Sequence, residues 1–180
     1  MRDRAHLVGA NFAGADLQGA DFSHVNSIGA DLRGANLRGA DLSGANLIGA
    51  NLHGARLSGA DLSQAKLDRA NFSEADLRYA NLSEASALRA IFCGADLTEA
   101  RFYRAILCGA DLSRARLVAA DLYGADLSDA QLYAIDLRWA NLTKTNLARS
   151  NLRDGKLYRA KQHKTHFAET IAPDGTMRSS

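Results

Sequence analysis

The chain has 180 residues, of which 47% are hydrophobic and 23% charged, with 22 Lys and Arg against 20 Asp and Glu and a net charge of +2. This composition belongs to a folded chain rather than a disordered one, and no apolar run approaches the ~20 residues of a membrane helix. Cys93 and Cys108 are the only cysteines, too few for a disulfide framework, and no His or Lys beside either activates it, so both are read as incidental thiols.

From Leu7 to Phe167 every fifth residue is Leu or Phe in 30 of 33 cases, and the residue two before it is Ala in 27 of 33. The residue between is usually Asp or Asn, as in Ala15-Asp16-Leu17 and Ala50-Asn51-Leu52. A period of five fits neither a helical face at 3.6 residues nor a strand face at 2, so each unit must combine a short extended piece with a bend, as in a solenoid. Alternation places the Leu or Phe centre and its Ala inside, with the intervening Asp or Asn and the two residues after the centre outside. The second residue after the centre is Gly from Gly9 to Gly59 apart from His24, and afterwards Gly only at 94, 109 and 124. Since a type II turn needs positive φ there, the sequence predicts type II turns in the first half and a different turn in much of the second.

These features resemble the pentapeptide-repeat family, whose unit is a small residue, Asp or Asn, Leu or Phe, and two variable positions; the match covers about residues 5–169. The resemblance implies an all-β fold, a right-handed quadrilateral β-helix solenoid of 20-residue coils. The 33 repeats then make about eight coils, followed by a short C-terminal tail. The expected division is residues 1–169 for the β-helix and 170–180 for the tail or cap. Sorting by 20 supports the coil length, because Ser23, Ser43, Ser63 and Ser83 fall in one column and Asp21, Asp41, Asp61 and Asp121 in another. Interior leucines contribute ~1.5–3 kcal/mol each when buried, so the repeats need no metal, disulfide or cofactor to fold.

In chain order, Met1 to His6 show no apolar stretch of a signal peptide, which leaves cytoplasm as the expected compartment, and they offer almost no cover for the first coil. That exposed end provides a route to a homodimer. One outward column reads Val8, Ile28, Ile48, Asp68, Leu88 and Cys108, with Ile106 beside its end, an apolar stripe where polar residues are expected. Two centres on the same side break the rule, Ser27 and Ala87, each followed by an apolar residue. The favoured expectation is a bulge that turns Ile28 and Leu88 inward; otherwise they remain in the stripe. Tyr103 and Tyr123 share a column, Tyr79 and Trp139 another, and Tyr133 and Tyr158 flank them, a second surface suited to a partner.

Residues 144–164 hold seven Lys and Arg against Asp154, among them Arg149, Arg153, Lys156, Arg159 and Lys161. They read either as a nucleic-acid or acidic-partner patch or, preferably, as a solvated edge that discourages stacking. His163 and His166 lack further ligands for zinc and have Lys161 and Lys164 beside them. Gln162 breaks the centre column, and with Thr145, Ser150, Gly155 and Thr165 replacing Ala it marks the start of a cap. The tail contains a Pro173-Asp174-Gly175 turn signal.

The repeat explains away apparent motifs: carboxylate pairs such as Asp121 and Asp126 are repeat positions, and no nucleophile, base and orienting group converge. The expected function is therefore a non-enzymatic interaction module that presents columns of side chains to a protein partner, with no membrane and no cofactor. Nucleic-acid binding through the basic C-terminal coils is the alternative. The family's best-understood members resemble duplex DNA and bind type II topoisomerases, but that role depends on a strongly acidic rod, which a net charge of +2 disfavours.

Overall fold

The computed structural model describes residues 7–179, and the expectations for Met1 to His6 lie outside them. Parallel bridges join residue i to residue i+20 without a slip from Asn11↔Asp31 to Asn151↔Ile171. One coil is thus 20 residues, and with a bend in every pentapeptide it has four sides. Side one carries the centres Leu7, Ser27, Leu47 and so on, side two those from Phe12, side three those from Leu17, and side four those from Phe22. The fold is an all-β solenoid.

Each unit repeats the same bonds. The centre N–H donates to the coil above, as Leu37 N to Arg56 O at 2.7 Å, and the residue before the centre donates to the coil below, as Arg56 N to Ala35 O at 2.9 Å. The turn closes on itself through Ala40 N to Leu37 O at 3.1 Å. The Asp or Asn before the centre caps the turn: Asn11 Oδ1 accepts from Ala13 N at 3.0 Å, and Asp41 Oδ1 accepts from Ser43 N at 2.9 Å. This local bond explains why short acidic and amide residues recur there. Between coils the same column makes amide-to-carboxylate links, such as Asn81 Nδ2 to Asp61 Oδ1 at 3.0 Å.

Inside, ladders of Ala and Leu from Ala30 to Leu152 are buried, and Phe72 stacks on Phe92 at 5.0 Å while Phe92 meets Phe102 edge-on at 6.4 Å. Ala keeps the corners narrow. Where the Ala column carries a threonine, its hydroxyl finds a carbonyl in the coil below, Thr145 Oγ1 donating to Leu122 O at 2.8 Å and Thr170 Oγ1 to Leu147 O at 2.6 Å, while Ser150 Oγ donates within its own turn to Leu147 O at 2.7 Å. These residues continue the solenoid rather than fray it. A Cβ on Gly155 would stand 2.8 Å from Leu152 O, so glycine there lets the turn close tightly on that carbonyl, with Ile135 Cγ2 of the coil below at 3.4 Å.

Two expectations are corrected. There is no bulge at Ser27 or Ala87. Both keep the ladder bonds, Ser27 N to Asn46 O at 2.8 Å and Ala87 N to Ile106 O at 2.7 Å. The two centres are 3% and 1% exposed, whereas Ile28 and Leu88 are 36% and 39% exposed. A small centre leaves the backbone register intact, so nothing draws the next residue inward. Nor does the turn change along the chain. The second residue after every centre has positive φ, from Gly9 at 66° to Glu169 at 55°, including non-glycines such as Arg69 at 59°, Glu74 at 58° and Trp139 at 65°. The residue before it is nowhere positive, which is the φ pattern of a type II turn. Register with the neighbouring coil imposes this geometry whatever the side chain.

At the C-terminal end β1 (Thr170–Ile171) pairs with Asn151 on one edge and antiparallel with β2 (Met177–Arg178) on the other. The turn between them is closed by Ala172 N to Thr176 O at 2.7 Å and Gly175 N to Ala172 O at 2.9 Å, and Asp174 accepts from Thr176 Oγ1 at 2.7 Å. The Arg178 guanidinium lies 4.8 Å from the centre of the Phe167 ring. The hairpin covers the strand edge of side two, while Gln162 and its neighbours on side four stay exposed.

Candidate protein-contact surface

Side one carries the largest concentration of exposed apolar residues. Alternation and the fixed 20-residue register put Val8, Ile28, Ile48 and Leu88 in one outward column, with Ile106 in the adjoining column. All but the half-buried Ile48 are exposed. Midway along this side lies a half-open groove of about 570 Å³. Ile48, Leu88 and Cys108 line it, and along its edge run Arg69, Arg89 and Gly109, the turn residues of three successive coils.

The charges at the groove differ in how they are satisfied. Asp68 accepts from Ser86 Oγ at 2.6 Å and Leu88 N at 3.0 Å, so its carboxylate is drawn onto the coil above. Asp129 forms a two-pronged pair with Arg149, both N···O distances being 2.7 Å, and these bonds hold its carboxyl below the usual carboxylate range. Cys108 Sγ lies 3.9 Å from Asp129 Oδ2. Arg69 and Arg89 have no ion-pair partner among the described residues, where the paired arginines are Arg33, Arg78, Arg116, Arg138 and Arg149. A Cβ on Gly109 would stand 3.4 Å from Arg89 Cγ, so the arginine stem lies within contact distance of that turn.

The aromatic surface lies elsewhere. Tyr103 and Tyr123 stack on side four, 5.7 Å apart and 13° from parallel, with Arg104 and Lys144 each 5.2 Å from a ring centre. Trp139, at the corner after side three, meets Tyr158 edge-on at 6.2 Å, and Arg159 lies 4.4 Å from its ring centre. Tyr79 shares the Trp139 column but is three coils away.

The basic residues of the last coils are distributed around the rod. Arg149 belongs to the corner of side one, Arg153 to side two, Lys156 and Arg159 to side three and its corner, and Lys161 to side four. Arg149 is committed to Asp129 and Arg159 to two aromatic rings. Asp121 and Asp126 stand on different sides, each accepting from a backbone N–H and from an Asn one coil above. Cys93 and Cys108 are half-buried free thiols on neighbouring sides, and His163 and His166 are exposed on sides four and one.

Sequence columns locate the stripe and the tyrosine stack, but Arg69 and Arg89 were not among the candidates. What distinguishes them is their place in successive coils along the edge of the groove, with no ion pair of their own among the described residues.

The pentapeptide repeats pattern matches in 8 copies over residues 3–26, 28–64, 55–92, 80–114, 95–132 and 130–161. The chain belongs to the pentapeptide repeat family. Among pentapeptide repeat proteins of solved structure, HetL, involved in heterocyst differentiation regulation in the cyanobacterium Nostoc sp. strain PCC 7120, is 32% identical. The likeness covers 97% of this chain and 87% of HetL with a TM-score of 0.71. Rfr23 from the cyanobacterium Cyanothece 51142 is 25% identical over 66% of this chain and 88% of its own, with a TM-score of 0.50. QnrB1, a plasmid-mediated fluoroquinolone resistance protein, superimposes with a TM-score of 0.73 over 88% of this chain and 86% of its own at 22% identity, a likeness of fold alone. No significant match is found among curated protein sequences.

Proposed function

We propose that this pentapeptide repeat protein is a non-enzymatic interaction module, a right-handed four-sided rod of about eight coils that offers side one to a protein partner. Residues 1–169 form the rod and 170–180 its cap, and the protein works in the cytoplasm. The observation that carries the reading is the apolar stripe of Val8, Ile28, Leu88 and Ile106, exposed, with the half-buried Ile48 among them, on a scaffold whose other outward columns are mainly polar or charged. HetL's involvement in the regulation of heterocyst differentiation supports a regulatory task over a catalytic one.

The basic C-terminal residues support nucleic-acid binding less well, because they are spread over four sides and two of them are engaged. A topoisomerase-binding DNA mimic would need an acidic surface, which a net charge of +2 does not supply. The test is a pull-down from native lysate with Ile28→Ser, Ile48→Ser and Leu88→Ser combined, against Tyr103→Ser with Tyr123→Ser. The side-one variant is expected to lose the partner and the tyrosine variant to retain it. Equal recovery by wild type and the side-one variant removes the assignment.

A further inference from the structure

We infer that the groove on side one is a receptor for an extended acidic and apolar peptide segment, whose carboxylates pair with Arg69 and Arg89 and whose apolar side chains lie on Ile48 and Leu88. This rests on the reading of side one as a protein-contact surface and names the chemistry of the partner. The groove's volume of about 570 Å³ lies within the ~300–1,000 Å³ of ligand sites.

The argument for an acidic ligand is one of charge left over. Arg69 and Arg89 occupy the same turn position in successive coils, which a parallel register holds ~4.8 Å apart at the backbone. Two like charges so placed repel one another, whereas further along the same column Arg149 is paired with Asp129 one coil below. At Arg69 and Arg89 no carboxylate completes the pair among the described residues. Of the two carboxylates in the groove, Asp68 accepts from Ser86 and the backbone of Leu88, and Asp129 pairs with Arg149. An incoming carboxylate would supply the missing counter-charge in the geometry that guanidinium groups favour.

The floor decides between classes of anion. Ile48 and Leu88 offer apolar surface with Cys108 beyond them, and a sugar-phosphate chain has nothing to bury there. A peptide in extended form places side chains ~6.6–7 Å apart along each face, so carboxylates and apolar groups can alternate to match an arginine wall and an aliphatic floor. Recognition of this kind needs only an open groove, not a folded partner domain.

Cys108 provides the readout and Cys93, on the neighbouring side, the internal control. The full chain is alkylated with iodoacetamide, and the rate at each thiol is followed by mass spectrometry in the presence of blocked pentapeptides. The probes are Glu-Leu-Glu-Ile-Glu, Glu-Ser-Glu-Ser-Glu, Lys-Leu-Lys-Ile-Lys and an oligothymidylate. The first is expected to slow Cys108 about ten-fold at saturation with Cys93 unchanged, and the other three to have no effect. The double variant Arg69→Glu with Arg89→Glu should lose that protection and gain protection by the lysine peptide. Glutamate suits both turns, since Glu74, Glu84 and Glu99 already occupy the equivalent position at φ of 58°, 59° and 58°.

Absence of protection by the first peptide overturns the proposal. So do equal protection by the serine peptide or by oligothymidylate, and protection that survives in the double variant. If the side-one pull-down responds but the peptides do not bind, the peptide proposal falls and the contact surface stands. If the peptides bind but the pull-down is indifferent to side one, the reverse holds.

Discussion

The first and second halves of the rod solve one turn with different residues. From Gly9 to Gly59 the left-handed position is glycine at every turn but His24, at φ between 61° and 70°; from Gln64 to Glu169 it is mostly a residue with a side chain, at φ as low as 52°. A left-handed L-residue costs roughly 1–2 kcal/mol in isolation. The second half accepts that cost repeatedly, so its ladder and core must hold the turn from both sides. It also holds the Phe72, Phe92 and Phe102 cluster. Turn chemistry and coil packing are thus interchangeable sources of the same shape, and the half that gave up glycine gained the side chains that line its surface, Arg69 and Arg89 among them.

The largest effect should come from removing packing in the second half. Phe92→Ala is expected to lose about 3–5 kcal/mol in urea denaturation, because both aromatic neighbours lose contact and the ladder above and below cannot close the gap. A curve that then separates into two steps would show that the halves unfold independently; a loss under about 1 kcal/mol would mean that the cluster does not hold the turns.

Intermediate effects sharpen the role of glycine. Gly34→Ala, where an added Cβ meets nothing within 4 Å, should lose about 1–2 kcal/mol through backbone strain alone. Gly44→Ala should lose more, because its Cβ runs into the His24 imidazole, which must swing aside. In the second half Glu99→Gly should stabilise by about 0.5 kcal/mol, relief of strain being partly offset by the freedom glycine adds to the unfolded chain. If Gly34→Ala is neutral, the glycines of the first half are not there for conformation.

The smallest difference concerns a charge pair present in both halves. Asp31 with Arg33 and Asp136 with Arg138 have the same spacing, but the carboxylate of the second is 12% exposed against 27% for the first. Bonding to the arginine lowers both carboxyls from the usual 3.8. Their stabilisation is therefore complete above about pH 4 and lost as the pH falls through the lowered folded values. Asp136→Asn should cost about 0.5–1 kcal/mol at pH 7 and nothing once the wild-type carboxyl is protonated. A stability difference that stays constant down to pH 2 would show that charge is not its source, since asparagine can still accept the turn bond from Arg138 N, as Asn11 does from Ala13 N.

The interior was legible in the sequence because the period of five and the rule of alternation fix the same atoms. Leu37, Ala40 and Leu42 could be placed inside before any coordinates, and the Tyr103 and Tyr123 stack followed from counting by 20. What was misread depended on neighbours rather than on the unit. The turn at Arg69 or Trp139 is set by the coils beside it, so its residue preference was the wrong guide. Ser27 and Ala87 suggested a bulge because a small centre resembles a missing one, yet the backbone bonds that hold the register do not involve the side chain. The groove was illegible for a further reason: a charged residue is informative only once the bonds of every nearby carboxylate are known.

The uniform register also determines how such a gene can change length. Deleting or inserting one pentapeptide leaves every inward residue inward, but all columns beyond that point, interior and surface, move round by one side. Ile48 and Leu88 would then no longer share a face. Gain or loss of four units restores the alignment and changes only the distance along the rod. The division into inward and outward residues is therefore indifferent to steps of five, while the columns of side one and interior stacks such as Phe72 on Phe92 keep their alignment only in steps of 20.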